Sequence, residues 1–230
     1  MRFTDNLISG TLIKRYKRFF VDVKVNNQII TAHCPNSGSM LGLLDENNKI
    51  WISQSNNPKR KLKFTLELIK VKDNLVGVNT IFANKIVLEA LNNKTIKEFS
   101  KFENIKTEAV YDANTRFDFL LKKHDRKVFL EVKNVTLSII KNVAEFPDAI
   151  TSRGTKHLTK LMEAKKKGYE SYILYLIQRE NCYQFKIADK IDIEYKKAFI
   201  EAKKKGVKML CYNCKLSLQE IKVNEPVKIL

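Results

Sequence analysis

Apolar and polar residues alternate over short stretches through the first third of the chain. Leu12-Ile13, Phe19–Val25, Gln28–Ala32 and Lys61–Ile69 each read as a strand, and Asn26-Asn27 separates two of these runs as a tight hairpin turn. Short strands of this kind, interrupted by a Gly/Ser/Pro-containing excursion at Pro35–Gly42, predict a small barrel. The OB-fold is the commonest nucleic-acid-binding barrel of about five strands.

The period changes after Val78. Thr80–Leu91 places Ile81, Ile86, Val87 and Leu91 at helical spacing. Strands return at Arg116–Leu121 and Val128–Asn134, followed by a helix at Gly154–Lys167, a buried strand at Ser171–Gln178 and a helix at Ile193–Lys205. Gly168 and Gly206 each follow a lysine run, Lys165–Lys167 and Lys203–Lys205, as glycines that end helices do. The expected fold class is α/β (α+β), with an OB-like barrel at 1–78 and a mixed α/β domain at 79–230.

Composition sharpens this in one respect. With 43 Lys+Arg against 25 Asp+Glu the chain carries a net charge of +18, which favours a polyanionic partner because phosphate contacts release condensed counterions. The charge is not confined to a tail, since residues 1–78 and the remainder are both basic. The four cysteines, Cys34, Cys182, Cys211 and Cys214, are few for a chain of this length and fit a reducing compartment. Charges interrupt every apolar run near the start, so no signal peptide or membrane span is expected and the cytoplasm is the expected location. Cys211 and Cys214 form one CxxC, whereas structural zinc normally takes four ligands, so zinc is not expected.

The chemistry concentrates in two neighbouring runs. Alternation in Arg116–Leu121 puts Arg116, Asp118 and Leu120 on one face and Phe117, Phe119 and Leu121 on the other. In the next strand Phe129, Glu131 and Lys133 share a face. If residues 122–127 make a symmetric hairpin turn, residues whose numbers sum to 249 face each other, and Asp118 and Glu131 are such a pair. Like charges opposed on a sheet repel, so the pair calls for a cation or a raised pKa. Lys133 lies two residues along the same face, and Mg²⁺ or Mn²⁺ would satisfy both carboxylates. Two carboxylates and a lysine are what metal-dependent phosphodiester hydrolysis uses. An ordinary surface hairpin carrying Asp, Glu and Lys is the bland alternative.

Longer motifs decide between these. HCPNSGSM at His33–Met40, VGVNT at Val76–Thr80, TRFDFLL at Thr115–Leu121, EVKNVTL at Glu131–Leu137, FPDAITSRGTKHL at Phe146–Leu158 and the AD-ID-Y pattern at Ala188–Tyr195 occur in an order that closely resembles the SfsA family, the sugar fermentation stimulation proteins. The resemblance spans nearly the whole chain. It implies an OB-like domain followed by a domain similar to the PD-(D/E)XK nucleases, DNA binding, and a role in regulating sugar (maltose) metabolism. It puts the nuclease-type aspartate at Asp118 and the ExK pair at Glu131 and Lys133, with the backbone carbonyl of Val132 as a further metal ligand. A glutamate ahead of the first strand often assists in similar nucleases, and Glu89 and Glu108 are both candidates. The Pro-Asp of the motif's name is Phe117-Asp118 here.

Other features extend the expected site. Arg153 and His157 lie near a helix start, where backbone N–H groups and basic side chains favour phosphate, and Gly154 permits either close approach of a partner or tight helix packing. Gln178 ends a buried strand and is followed by Arg179, and both could reach the same cleft from the sheet's edge. Lys14, Arg15, Lys17 and Arg18 interleave with aromatic residues, and Lys59, Arg60 and Lys61 form a basic loop, as backbone-tracking surfaces do. His33 and Cys34 sit in a loop expected to be structured, with no base–nucleophile set around it. The expected function is DNA binding with little sequence specificity, RNA being the alternative strand, together with a metal site for phosphodiester hydrolysis. The rivals are a non-catalytic DNA-binding regulator and a small-ligand sensor.

Overall fold

The computed structural model describes residues 1–230. Its first unit is built from β1 (Ile8–Tyr16), β2 (Phe20–Val25), β3 (Gln28–His33), β4 (Lys49–Gln54), β5 (Phe64–Val71) and β6 (Asn74–Gly77). They pair in the order β3-β2-β1-β4-β5-β6, and contact between β3 and β5 at His33 and Thr65 closes the barrel. Asn26 and Asn27 both take positive φ in the two-residue turn that pairs Val25 with Gln28. A bulge between Leu12 and Lys14 bends β1, as barrel closure requires. Leu12, Val21, Val23, Ile50, Ile52, Leu66 and Ile69 fill the interior.

The second unit begins with α1 (Phe82–Asn92) and continues through β7 (Asn104–Asp112), β8 (Thr115–Lys123), β9 (Arg126–Val135), β10 (Val143–Phe146), α2 (Ser152–Lys166), β11 (Glu170–Ile177), β12 (Gln184–Ile187), α3 (Ile193–Lys204), β13 (Lys208–Leu216), β14 (Ile221–Pro226) and β15 (Lys228–Ile229). A central sheet runs β14-β13-β11-β9-β8-β7, and a small sheet runs β10-β12-β15. β11 is parallel to both its neighbours and buried on both faces, which explains its unbroken apolar run. One face of the central sheet packs on α1 through Phe119, Leu130, Leu174 and Leu176. The other packs on α2 and α3 through Phe129, Ile173, Tyr175 and Ile177.

Helix ends follow the expected chemistry. Gly168 and Gly206 take φ of 90° and 84° just past α2 and α3, where a side chain would be strained. Ile81, expected on the apolar face of the first helix, instead caps its start and is 60% exposed. Cys211 and Cys214 point to opposite faces of the sheet and lie in separate cores, so the CxxC does not form a ligand pair. No helix is long and apolar enough to cross a membrane.

Residues 1–7 lie against the second unit. Phe3 donates its backbone N–H to Gln219, and Ile221 donates to the carbonyl of Met1. The last strand of the barrel is held as well, since Gly77 donates to the carbonyl of Gln178 and Val76 bridges Arg179.

Candidate metal centre and cleft

The β8–β9 ladder runs from Lys123 paired with Arg126 to Phe119 paired with Leu130, the register in which numbers sum to 249. Both strands extend further into the expected turn than the sequence suggested, leaving only His124 and Asp125 between them. Beyond Phe119 the strands part. β9 stays paired with β11, while β8 stays with β7 and turns away. As a result Phe117 joins the core under α2, and Phe119 joins the core under α1, although plain alternation would put them on one face.

Asp118 occupies the opening. Its Oδ2 accepts the backbone N–H of Val132 at 2.7 Å, and its Oδ1 accepts Nδ2 of Asn84 from α1 at 2.7 Å. Burial and the nearby Glu131 carboxylate push its pKa up to about 6, against the pull of these two bonds. Glu131 is 3% exposed. Its Oε1 accepts Nζ of Lys133 at 2.7 Å and is bonded to Nδ1 of His157, whereas Oε2 is buried without any partner. Burial works to raise the pKa of Glu131, but Lys133 and His157 outweigh it and hold the carboxylate below its usual range.

An orphaned, buried carboxylate oxygen beside a second carboxylate with a raised pKa is a place where an added cation would be favoured. No group of three or more His, Cys, Asp or Glu side chains is arranged to enclose a metal, so a hard divalent ion held by two carboxylates here would take most of its ligands from water. Asp118, Glu131 and the Val132 backbone are the residues that could hold it.

These groups line a cleft of about 660 Å³ between the barrel and the second unit. Asn36, Ser37 and Gly38 from the barrel loop form one wall, and Phe146–Thr151 form another. The walls are joined where Ser39 Oγ donates to the carbonyl of Asp148 at 2.5 Å and Met40 donates its N–H to Asp148 Oδ2 at 3.1 Å. A methyl group at Gly38 would fall on the Asp148 carboxylate, which accounts for the glycine.

Of the accessory candidates, Glu108 lies in the cleft beside Asp118, on β7 at a residue with φ of 47°. Glu89 does not, because it pairs with the amino group of Met1 at 2.7 Å. It stands five residues beyond Asn84, about 140° further around the helix. Gln178 is fully buried behind the wall and acts only through Asn134, to which its Nε2 donates at 2.5 Å. Arg179 is likewise turned away, bonding the Thr136 carbonyl and Asn181.

At the start of α2, Arg153 and His157 share a face and both line the cleft. His157 bonds Glu131 through Nδ1, while its Nε2 accepts Nε of Arg153 at 3.5 Å within the cleft lining. Gly154 is explained by packing, since a Cβ there would come within 3.0 Å of Tyr195 on α3. Asp192 ties the two helices together, capping α3 through the Tyr195 N–H and accepting the Thr151 N–H.

The expected basic surface divides. Lys14, Lys17 and Arg18 are exposed at the β1–β2 end, whereas Arg15 turns inward to bond the carbonyls of Arg18, Asn36 and Ser39 and brace the cleft loop. Lys59 and Lys61 are exposed in the β4–β5 loop, and Arg60 folds back to Thr65. The structure adds Asn84, Lys85 and Glu145 to the cleft, none of which sequence reasoning singled out.

Two family models match in sequence order: the SfsA N-terminal OB domain over residues 13–78 and the sugar fermentation stimulation protein RE domain over residues 81–220. The chain belongs to the SfsA family. A sugar fermentation stimulation protein homolog of Pelagibacter ubique (strain HTCC1062) is 57% identical over 230 residues, covering 100% of this chain and 99% of its own. The homolog of Paramagnetospirillum magneticum is 43% identical over 229 residues, covering 99% and 97%. Among solved structures, Pyrococcus furiosus SfsA in complex with Ca²⁺ matches with a TM-score of 0.91 at 20% identity, covering 100% of this chain and 98% of that one. At that identity the likeness establishes the shared SfsA fold.

Proposed function

We propose that this SfsA-family protein binds DNA with little sequence preference and hydrolyses phosphodiesters at a divalent-metal site made by Asp118 and Glu131. The observation that carries the reading is the orphaned Oε2 of Glu131 beside a carboxylate whose pKa is pushed up to about 6, at the floor of an open cleft. That a relative of the same fold is a Ca²⁺ complex supports a divalent ion here. Mg²⁺ or Mn²⁺, when bound, would polarise the phosphodiester and make a water acidic enough to attack near neutral pH.

The chain's own residues have distinct parts. Asp118 is oriented by Val132 and Asn84, and Glu131 by His157, so both carboxylates are fixed before a ligand arrives. Lys133 is held at the Glu131 carboxylate, where its ammonium can steady negative charge developing on phosphate oxygens. Arg153 and Lys85 stand on opposite walls of the cleft and supply cationic contacts for the flanking backbone.

Purified protein incubated with single- and double-stranded DNA in Mg²⁺, Mn²⁺ or EDTA tests the reading. Cleavage should require the metal and be lost in Glu131→Gln. Identical behaviour of wild type and Glu131→Gln in every metal would end the catalytic claim. DNA binding is tested separately by a salt titration, in which phosphate contacts give a linear fall of log affinity with log salt.

A further inference from the structure

A second recess, of about 600 Å³, lies on the barrel, between the ends of β3 and β4 and the loop before β5. Its charged anchor is Arg60. One guanidinium nitrogen donates to Thr65 Oγ1 at 3.0 Å, and the side chain enters no salt bridge, so the remaining N–H groups have no carboxylate partner. His33 stands close to it at the end of β3, its imidazole pKa pushed down by burial and by the Arg60 charge. The Phe19 ring, 42% exposed, packs 6.4 Å from that imidazole. Glu67, the buried carboxylate of the recess, has both oxygens capped, by Ser53 at 2.6 Å and Asn79 at 2.8 Å.

The two recesses are neighbours. Ile81, 60% exposed, lines both, while the half-buried Phe82 ring of the barrel recess packs on Phe3 at 6.0 Å. The Lys85 ammonium lies 5.5 Å from the Phe82 ring centroid. Moving from the large cleft to the barrel, a ligand would therefore meet a cation, the exposed Ile81, then a second cation beside an imidazole. A single strand presents that alternation, because its bases have free faces as well as phosphates. A duplex hides its base faces within the stack and offers mainly phosphates.

We propose that the barrel recess is a second subsite for one single DNA strand that also crosses the large cleft, with a phosphate on Arg60, a base edge at His33, and a base packed on Ile81. This rests on the reading that the large cleft holds a phosphodiester. It adds that the preferred substrate is single-stranded and that the barrel contributes directly to its binding.

Binding is measured by fluorescence anisotropy of a labelled oligo-dT of about twelve nucleotides and of the matching duplex, in EDTA so that cleavage does not intervene. The full-length protein is compared with Arg60→Gln and with Gln54→Glu, an exposed residue at the rim whose change adds a negative charge and removes no observed bond. Each variant should bind the single strand about ten-fold more weakly, Arg60→Gln should lower the salt slope by about one, and duplex affinity should stay within about two-fold. Single-strand binding within two-fold of wild type in both variants overturns the proposal, as does an equal loss for the duplex. If Arg60→Gln melts early, Gln54→Glu alone decides. A protein that binds in this manner yet never cleaves keeps the subsite and loses the catalytic reading, whereas one that cleaves with both variants binding normally does the reverse.

Discussion

The backbone N–H of Val132 donates to Oδ2 of Asp118 at 2.7 Å, at the point where the two strands that carry them separate. A main-chain donor cannot be mutated away, so this half of the aspartate's support is built into the fold. The other half, Asn84 Nδ2 on Oδ1, is a side chain. Asn84→Ala should cost about 1 kcal/mol of stability and weaken divalent-ion binding, because the carboxylate loses a donor that favours its charged form. Thermal melts across an Mn²⁺ titration would show both, and an unchanged Mn²⁺ midpoint would argue against the role assigned to Asn84.

The pH dependence has a definite sign. Asp118 titrates at about 6 in the folded, metal-free protein against an ordinary value of 3.8. A carboxyl with a raised folded pKa contributes stability that is fully present below 3.8 and is lost as pH rises through about 6. Two units correspond to about 3 kcal/mol at most. In EDTA, wild type should therefore lose stability relative to Asp118→Asn between pH 4 and 7, as read from urea denaturation at each pH. Added Mn²⁺ should stabilise strongly at pH 7.5 and little at pH 5, where it must displace the proton.

His157 and Lys133 share the same oxygen of Glu131. Removing the imidazole leaves a buried carboxylate with one cation, so His157→Leu should destabilise by about 2–4 kcal/mol and raise the Glu131 pKa. His157→Asn, which keeps a donor, should recover part of the loss. Chemical denaturation at pH 7.5 separates the three proteins, and a His157→Leu as stable as wild type would show that the contact is incidental.

Arg15 and Lys17 differ by two positions and should behave unlike each other. Arg15 braces three backbone carbonyls around the cleft loop, so Arg15→Ala should lower stability by about 1–3 kcal/mol. Lys17 is exposed in the turn, so Lys17→Ala should leave the melting temperature within a degree or so and reduce the DNA-binding salt slope by about one if the strand crosses this end of the barrel. Melting curves and salt titrations of the two variants make the comparison.

What was legible in the chain was what regular geometry dictates. The hairpin register in which paired numbers sum to 249 follows from a short symmetric turn, though the ladder ends at Phe119–Leu130, one pair short of Asp118 and Glu131, and Gly168 and Gly206 follow from the positive φ that ends each helix. Two kinds of feature were not. Charge drew attention to Glu89, yet the rotation of α1 turns Asn84 to the aspartate, and a neutral residue gives no sign of this in advance. Strands with little to bury were also silent: β7 is mostly exposed along its length, so no alternation marks it, although it carries Glu108. The divergence of β8 at Asp118 lay beyond alternation altogether, since it arises from which neighbour each strand keeps.

The barrel is moored to the second unit by backbone before its first strand and at its last, through residues 1–3 and Val76-Gly77, and the two moorings are neighbours, since Ile221 bonds Met1 and lies against Gly77. A module held only by neighbouring tethers can tilt about them; what fixes it is a contact made elsewhere. The Ser39–Asp148 contact across the cleft is then less a latch than a strut. It ties the two walls together, so the width of the gap between them is set when the chain folds.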